Sequence, residues 1–193
     1  AKAMGITTRL RPYSSLALGS SEVIPLELVS AYGTFANNGV HVEPVSILKI
    51  EDKNGIVIYR QLPHPKEVLS AETTFIMNNL LQNVVNHGTG VGIRSRFKFY
   101  HEAGGKTGTT NDNTNAWFVG FTPDYVAGVW VGLDDFQYTL GPGMDGSRAA
   151  LPFWADFMKT VYDSLEFDQS TFPKEVNNVV KLEICKETKK IAT

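Results

Sequence analysis

Between residues 103 and 133 the apolar residues stop recurring at helical spacing. They fall instead into short alternating or continuous runs, "KTGTT", "NAWFVGFT" and "YVAGVWVGL", punctuated by Thr122-Pro123-Asp124. Neighbouring side chains on a strand point to opposite faces, so such runs fit strands and do not fit an amphipathic helix. Three adjacent antiparallel strands are therefore predicted here, and the rest of the chain must pack around them.

Helical signals flank this block. Leu28, Val29, Tyr32, Phe35 and Ala36 share one helical face in residues 25–38, with Pro25 at the first position and Asn38-Gly39 as the stop. A second helix is predicted from Ser70, the N-cap, to Gly88, with Glu72 in its first turn and an apolar stripe of Ile76, Leu80 and Val84. A third, opened near Pro152, carries Phe153, Trp154, Phe157, Met158 and Val161. Between the first two helices, β-branched runs around Asn54-Gly55 read as a hairpin, because Asn-Gly tolerates the positive φ of tight turns. The tail "VVKLEIC" alternates and predicts one more strand. The fold class expected is mixed α/β of the α+β kind, an antiparallel sheet packed by helices.

Composition closes off several functions. The chain has 193 residues, 42% hydrophobic and 20% charged, with a formal net charge of -2 and no basic patch. Nucleic acid is therefore not an expected partner. No apolar run reaches the ~18 residues of a membrane span. Cys185 is the single cysteine, which excludes an internal disulfide, and it is expected as a half-exposed thiol on a late strand. His41, His64, His87 and His101 lack metal-ligand spacing and are expected on surface or loops, so no metal and no cofactor is assigned. Asp134-Asp135 are neighbours whose side chains point apart, which reads as a solvated strand end rather than a glycosidase pair.

The chemistry rests on "EAGGKTGTTNDNTN". Gly105-Lys106-Thr107 would end a phosphate-binding loop, but the first glycine that loop needs falls on Tyr100. Turn formers also follow Thr107, where a helix N-terminus should hold phosphate. The alternative is the Lys-Thr-Gly strand of serine acyl-transferases that act on penicillin and D-alanyl peptides. There Lys106 supplies positive charge for a substrate carboxylate, and Thr107 and Thr109, two apart, supply hydroxyls from one face. Gly108 allows close backbone approach, and the N–H of Thr109 becomes one of two oxyanion donors, each worth roughly 10²–10³ in rate. Thr110 and Asn111 are expected at the substrate groove, although Asn111, Asp112 and Asn113 also read simply as a polar turn. Trp117, Phe118, Phe121 and Trp130 are expected in the sheet core.

Around this strand the chain resembles the transpeptidase domain of a class A (bifunctional) penicillin-binding protein. "LGSSEVIPLELVSAYGTFANNGV", "VVNHGTG", "GGKTGTTND", "AWFVGFTPDYVAGVWVGLDD" and "ALPFWADFM" match that family's blocks in order. The resemblance implies a helical-lobe part with a hairpin over 1–101, active-site strands and a C-terminal helix over 102–165, and a tail over 166–193. It also implies crosslinking of peptidoglycan stem peptides ending in D-Ala-D-Ala by serine acyl transfer, with inhibition by β-lactams. An extracytoplasmic location, with a membrane anchor and a glycosyltransferase domain upstream, goes with it.

Two of the family's motifs do not occur in working form. No Ser-x-Asn is present, and Ser-x-x-Lys occurs only as Ser46–Lys49, in a predicted strand, and Ser95–Lys98, in a basic link. The chain is therefore expected to be the C-terminal portion of the domain, opening inside a helix end at Ala1, with its nucleophile upstream and no acylation on its own. A non-catalytic binding module and a serine β-lactamase or D,D-carboxypeptidase relative are the alternatives. With upstream strands missing, residues 126–133 should present an open sheet edge, and edges recruit partners. The expected partner is the upstream half of the domain. In its absence the edge is expected to take the chain's own tail, 179–185, or a second copy.

Overall fold

The computed structural model of the chain describes residues 1–135, 137–164, 169–183, 185 and 187–188. Pro25 opens the first helix, α1 (Pro25–Ala36), at a position where its missing N–H costs nothing. The chain leaves α1 through Asn38 at φ 51° and Gly39 at φ 92°. Strand β1 (Val40–His41) follows, and it pairs antiparallel with β4 (Lys66–Glu67). Between them, β2 (Lys49–Glu51) and β3 (Val57–Arg60) make the predicted hairpin, with a bulge at Ile50/Glu51. The Asp52 carboxylate closes its turn by accepting from the N–H groups of Asn54 (2.8 Å) and Ile56 (2.9 Å).

Helix α2 (Ala71–His87) starts at Ser70, whose hydroxyl accepts from the N–H of Thr73 at 3.2 Å. A short helix, α3 (Gly92–Ser95), leads to the sheet of β5 (Gly104–Thr109), β6 (Asn115–Phe121) and β7 (Val126–Gly132). The three strands are adjacent and antiparallel in the order β5-β6-β7, as their sequence period predicts. A single π-helical turn, Gly146–Ala150, runs directly into α4 (Leu151–Ser164).

The sheet is covered on both faces. On one, Phe121 meets Tyr32 and Phe35 of α1 and Phe172 of the tail. On the other, Phe118 meets Trp154 of α4, whose indole N–H donates to the Gly120 carbonyl at 3.2 Å. The larger core gathers on the α4 side, where Val85, Ile93, Phe99, Phe118, Leu151 and Met158 are all buried. Arg94 braces the segment entering β5, its guanidinium donating to the carbonyls of Phe99 and His101, and burial lowers its pKa.

Several expectations need correction. The inward row of α2 is Thr74, Asn78, Leu81 and Val85, while Ile76 and Leu80 are exposed. The spacing holds and the row is shifted, because two inward positions are polar and each donates a hydrogen bond to a backbone carbonyl. The Thr74 hydroxyl donates to the Ser70 carbonyl and the Asn78 amide to the Phe35 carbonyl, both at 3.0 Å. Phe153 and Phe157 likewise face outward from α4, whose buried row is Leu151, Trp154, Ala155, Met158 and Tyr162. His41 is a buried strand residue beside Thr34, and His101 is half-buried against Phe99 and Tyr162.

The tail does not form the predicted strand among its described residues 179–183 and 185, so Cys185 lies on no strand, and Ile184 lies outside the described residues. Among the described residues, no tail strand pairs with the outer edge of β7. Earlier tail residues dock elsewhere: Phe172 is buried and its N–H donates to a Glu102 carboxylate oxygen at 2.6 Å. That contact draws the chain to the base of β5, where Phe172 joins Phe121 in one cluster.

Candidate active site

Lys106, Thr107, Gly108 and Thr109 form the last four residues of β5, which among the described residues borders only β6. Register fixes their faces. Lys106 and Gly108 lie opposite Val119 and Trp117, whereas Thr107 and Thr109 lie opposite Phe118 and Ala116. The two hydroxyls thus share a face as expected, and Lys106 leaves from the other face of the same edge. The Thr110 N–H donates inward to the Asn115 carbonyl at 3.1 Å. Antiparallel alternation then sends the N–H groups of Thr107 and Thr109 outward, away from β6. One strand edge therefore offers an ammonium group, two hydroxyls and two outward N–H groups. The same alternation turns the Thr107 and Thr109 carbonyls outward, that of Thr107 accepting from Lys106 Nζ, so the donors for an anionic or carbonyl-rich ligand stand beside backbone acceptors along the edge.

Each hydroxyl is held from behind. Thr107 Oγ1 lies 2.8 Å from Thr89 Oγ1, in the turn after α2. Thr109 Oγ1 accepts from the Gly146 N–H at 3.0 Å. Lys106 is exposed, with its Nζ donating to the Thr107 carbonyl at 2.9 Å. The Thr110 hydroxyl is occupied in the β5–β6 turn, accepting from the N–H groups of Thr114 (3.0 Å) and Asn115 (2.9 Å). Asn111 stands exposed at the tip of that turn.

The loop from 139 to 148 underpins this edge. Thr139 Oγ1 donates to the Asp112 carbonyl at 2.7 Å, and the Leu140 N–H to the Asn113 carbonyl at 2.9 Å. Gly146 lies flat on the strands, where a Cβ would sit 2.3 Å from the Trp117 carbonyl oxygen and 2.6 Å from that of Gly108. No side chain fits there. Asp145 anchors the turn by accepting from the N–H groups of Ser147 (2.8 Å) and Arg148 (3.2 Å). The Ser147 hydroxyl foremost holds the Asp145 carboxyl below the usual carboxylate range.

Thr89, Asp145 and Gly146 were not singled out from the sequence as site residues. The partners of Thr89 and Gly146 lie 18 and 37 positions away, and no local pattern announces them, whereas Asp145 caps the turn just after it. Trp117 is half-buried and Trp130 is 44% exposed; the pair face each other across β6 and β7 at 6.5 Å, with the Trp130 indole N–H on Asn115 Oδ1 at 2.7 Å. Only Phe118 and Phe121 of the four expected aromatics are true core.

Neither Ser-x-x-Lys pair has the geometry of a nucleophile and its base. Ser46 precedes β2, and Lys49 on that strand is paired with Glu51 at 2.8 Å. Ser95 ends α3 with its hydroxyl on the Val91 carbonyl, and Lys98 has left helical geometry at φ 57°. After Thr107 the strand continues to Thr109 and turns into β6, so the helix that a phosphate-binding loop needs directly after this motif is a strand and turn instead.

An antiparallel sheet between helices, with Lys-Thr-Gly on its edge strand, is the architecture of the penicillin-recognising transpeptidases. The family model "Penicillin binding protein transpeptidase domain" matches residues 6–159, and the chain belongs to that family. Its relatives are of the class A type. It is 45% identical over 173 residues to penicillin-binding protein 1A of Aquifex aeolicus (strain VF5), covering 90% of this chain and 23% of that protein. With penicillin-binding protein 1A of Rickettsia bellii it shares 35% identity over 205 residues, 94% of this chain and 25% of the relative. The chain thus spans about a quarter of the length of these relatives. Among solved structures, penicillin-binding protein 1A from Haemophilus influenzae superposes with a TM-score of 0.87 at 26% identity, over 99% of this chain and 34% of that one. PonA1 from Mycobacterium tuberculosis, solved in complex with penicillin V, has the same fold: its TM-score is 0.76 at 21% identity, over 91% of this chain and 51% of that one.

Proposed function

We propose that residues 1–193 form part of a serine D,D-transpeptidase that crosslinks peptidoglycan stem peptides, and that the edge of β5 is its substrate-binding strand. The observation that carries this reading is the cluster of donors on that edge: Lys106 Nζ, the hydroxyls of Thr107 and Thr109, and outward N–H groups. A stem peptide ending in D-Ala-D-Ala presents a terminal carboxylate and a scissile carbonyl, both acceptors. Lys106, Thr107 and Thr109 take the carboxylate, Gly108 keeps the approach open, and the Thr109 N–H takes the oxygen that becomes negative. Thr110 and Asn111 border the groove at the turn. A β-lactam, which also carries a carboxylate beside an acyl carbonyl, is held the same way.

The nucleophile comes from outside these residues. Its serine oxygen bonds to the carbonyl carbon of the penultimate D-alanine while the peptide C–N bond breaks, and the departing D-alanine nitrogen takes up the proton. The amine of a second stem then displaces the serine, which recovers a proton, and a new amide results. The serine-bearing half of the domain seats against the open edge of β7, and in the isolated chain that edge pairs with a second copy. The parent acts outside the cytoplasmic membrane on an anchor that lies beyond this chain; among the described residues no helix is long and apolar enough to cross a membrane.

The test is labelling with a fluorescent penicillin. The full-length parent protein should form a covalent adduct and residues 1–193 alone should form none. Labelling of the isolated chain would place a nucleophile inside it and sink the division of labour. An unlabelled parent would leave only a binding module, the reading that the missing motifs favour for the isolated chain.

A further inference from the structure

We propose that Thr89 is a positioning residue that points the hydroxyl of Thr107 at an acceptor-only ligand; the inference rests on the acyl-transfer reading above. Thr89 is exposed, in a turn between Gly88 and Gly90 that folds back on the last turn of α2. The Gly88 N–H donates to the carbonyls of Asn83 and Val84, and the Gly90 N–H to that of Val84 at 3.0 Å. A Cβ at residue 88 would lie 2.9 Å from Val84 Cα, and one at residue 90 would lie 3.1 Å from the Val84 oxygen. The two glycines therefore let the turn lie tight against the helix. The helix in turn is locked to β5: Leu81 would be 3.2 Å from a Cβ on Gly104, and Val85 is buried with Ala103 in one core. Both ends of the Thr89–Thr107 contact are thus fixed.

The chemistry follows from counting protons. At 2.8 Å one of the two hydroxyls donates to the other. A hydroxyl has one proton and two acceptor lone pairs. When Thr89 donates, the Thr107 proton is left for the ligand; when Thr107 donates, only lone pairs face it. A carboxylate accepts and cannot donate, so it selects the first arrangement, and the chain Thr89 to Thr107 to carboxylate is polarised in one direction. Thr109 is wired with the same polarity by an independent contact. Its oxygen accepts from the Gly146 N–H, which leaves its proton free for the ligand. Two hydroxyls held from behind by donors, on one face of one edge, form a site tuned to an anion rather than to a neutral polar group.

The experiment compares Thr89→Val and Thr89→Ser with wild type in the full-length parent protein. It measures the second-order acylation rate with a penicillin and with the methyl ester of that penicillin, alongside the melting temperature. Losing one hydrogen bond of ordinary net strength should slow the free-acid penicillin about fivefold in Thr89→Val. The ester rate and the melting temperature should stay at wild-type values, and Thr89→Ser should restore the free-acid rate. Equal slowing of acid and ester, or no slowing of either, overturns the inference while leaving the transpeptidase reading intact. A wild-type parent that is not acylated at all overturns both.

Discussion

Two antiparallel ladders in this molecule arise from the same kind of sequence and meet opposite fates. The β2–β3 hairpin and the β5–β6–β7 sheet both consist of β-branched, aromatic-containing runs joined by short turns with a residue at positive φ, Gly55 at 81° in one and Asn113 at 51° in the other. Every strand residue of the hairpin is exposed, Ile58 at 69%. In the sheet Ala116, Phe118 and Phe121 are 0% exposed. Period two is thus sufficient to make a ladder and silent about what covers it. A lone two-stranded ribbon is marginal in water, and here local devices support it: the Asp52 side chain across its turn and the Lys49–Glu51 ion pair. The sheet instead draws its order from α1 on one face and α4 on the other.

Paired substitutions in the two ladders test this contrast. The largest difference is expected in stability. Trp154→Ala empties the core under Phe118 and should cost about 3–5 kcal/mol in denaturant unfolding. Ile58→Ala in the hairpin should stay within about 0.5 kcal/mol. Comparable losses would mean that the hairpin is buried in solution and that the contrast is false.

Function should divide along the same line. In the full-length parent, Lys106→Gln removes a charged donor worth about 1.5–3 kcal/mol, or about tenfold to a hundredfold in penicillin acylation rate. Lys49→Gln on the hairpin should leave that rate unchanged, and a fall there would move the binding strand. Next comes the brace. Gly146→Ala forces a methyl against the Trp117 and Gly108 carbonyls and should cost about 1–3 kcal/mol. It should also shift the amide resonance of Thr109, and an unperturbed Thr109 would show that the turn does not support the strand.

The smallest effect concerns acid. Asp145 and Asp52 both have lowered pKa values, Asp145 chiefly from the Ser147 hydroxyl and Asp52 chiefly from the Ile56 N–H. A depressed carboxylate pKa gives stability that is present above the ordinary value and is lost as pH falls through the folded value. Asp145→Asn should therefore reduce stability at neutral pH and flatten its decline in acid. Asp52→Asn should instead speed amide exchange at Asn54 and Ile56, leaving the melting temperature unmoved. If both variants melt alike at every pH, the hairpin and the sheet are one cooperative unit.

Much of this was legible beforehand, for definable reasons. The helix limits at Pro25 and Ser70, the Asn54-Gly55 turn and the three-strand order rest on interactions between residues close in sequence. The Lys-Thr-Gly motif was readable because a strand needs its functional atoms at a spacing of two. The inward face of α2 was misread because burial there includes Thr74 and Asn78, whose partners supply what hydrophobicity does not. The tail "VVKLEIC" has the right alternation for a strand, yet the tail is drawn to Glu102 and the Phe121 side of the core instead.

Local chemistry alone, then, determined which segments are helix and which are strand, and that a cation and two alcohols share one strand, because backbone geometry repeats over a few residues. Tertiary packing decided which faces are wet, that Thr89 and Gly146 stand behind those alcohols, and that the outer edge of β7 has no partner strand among the described residues. The reason is distance along the chain: a hydrogen bond between residues 109 and 146 leaves no trace in the spacing of either neighbourhood.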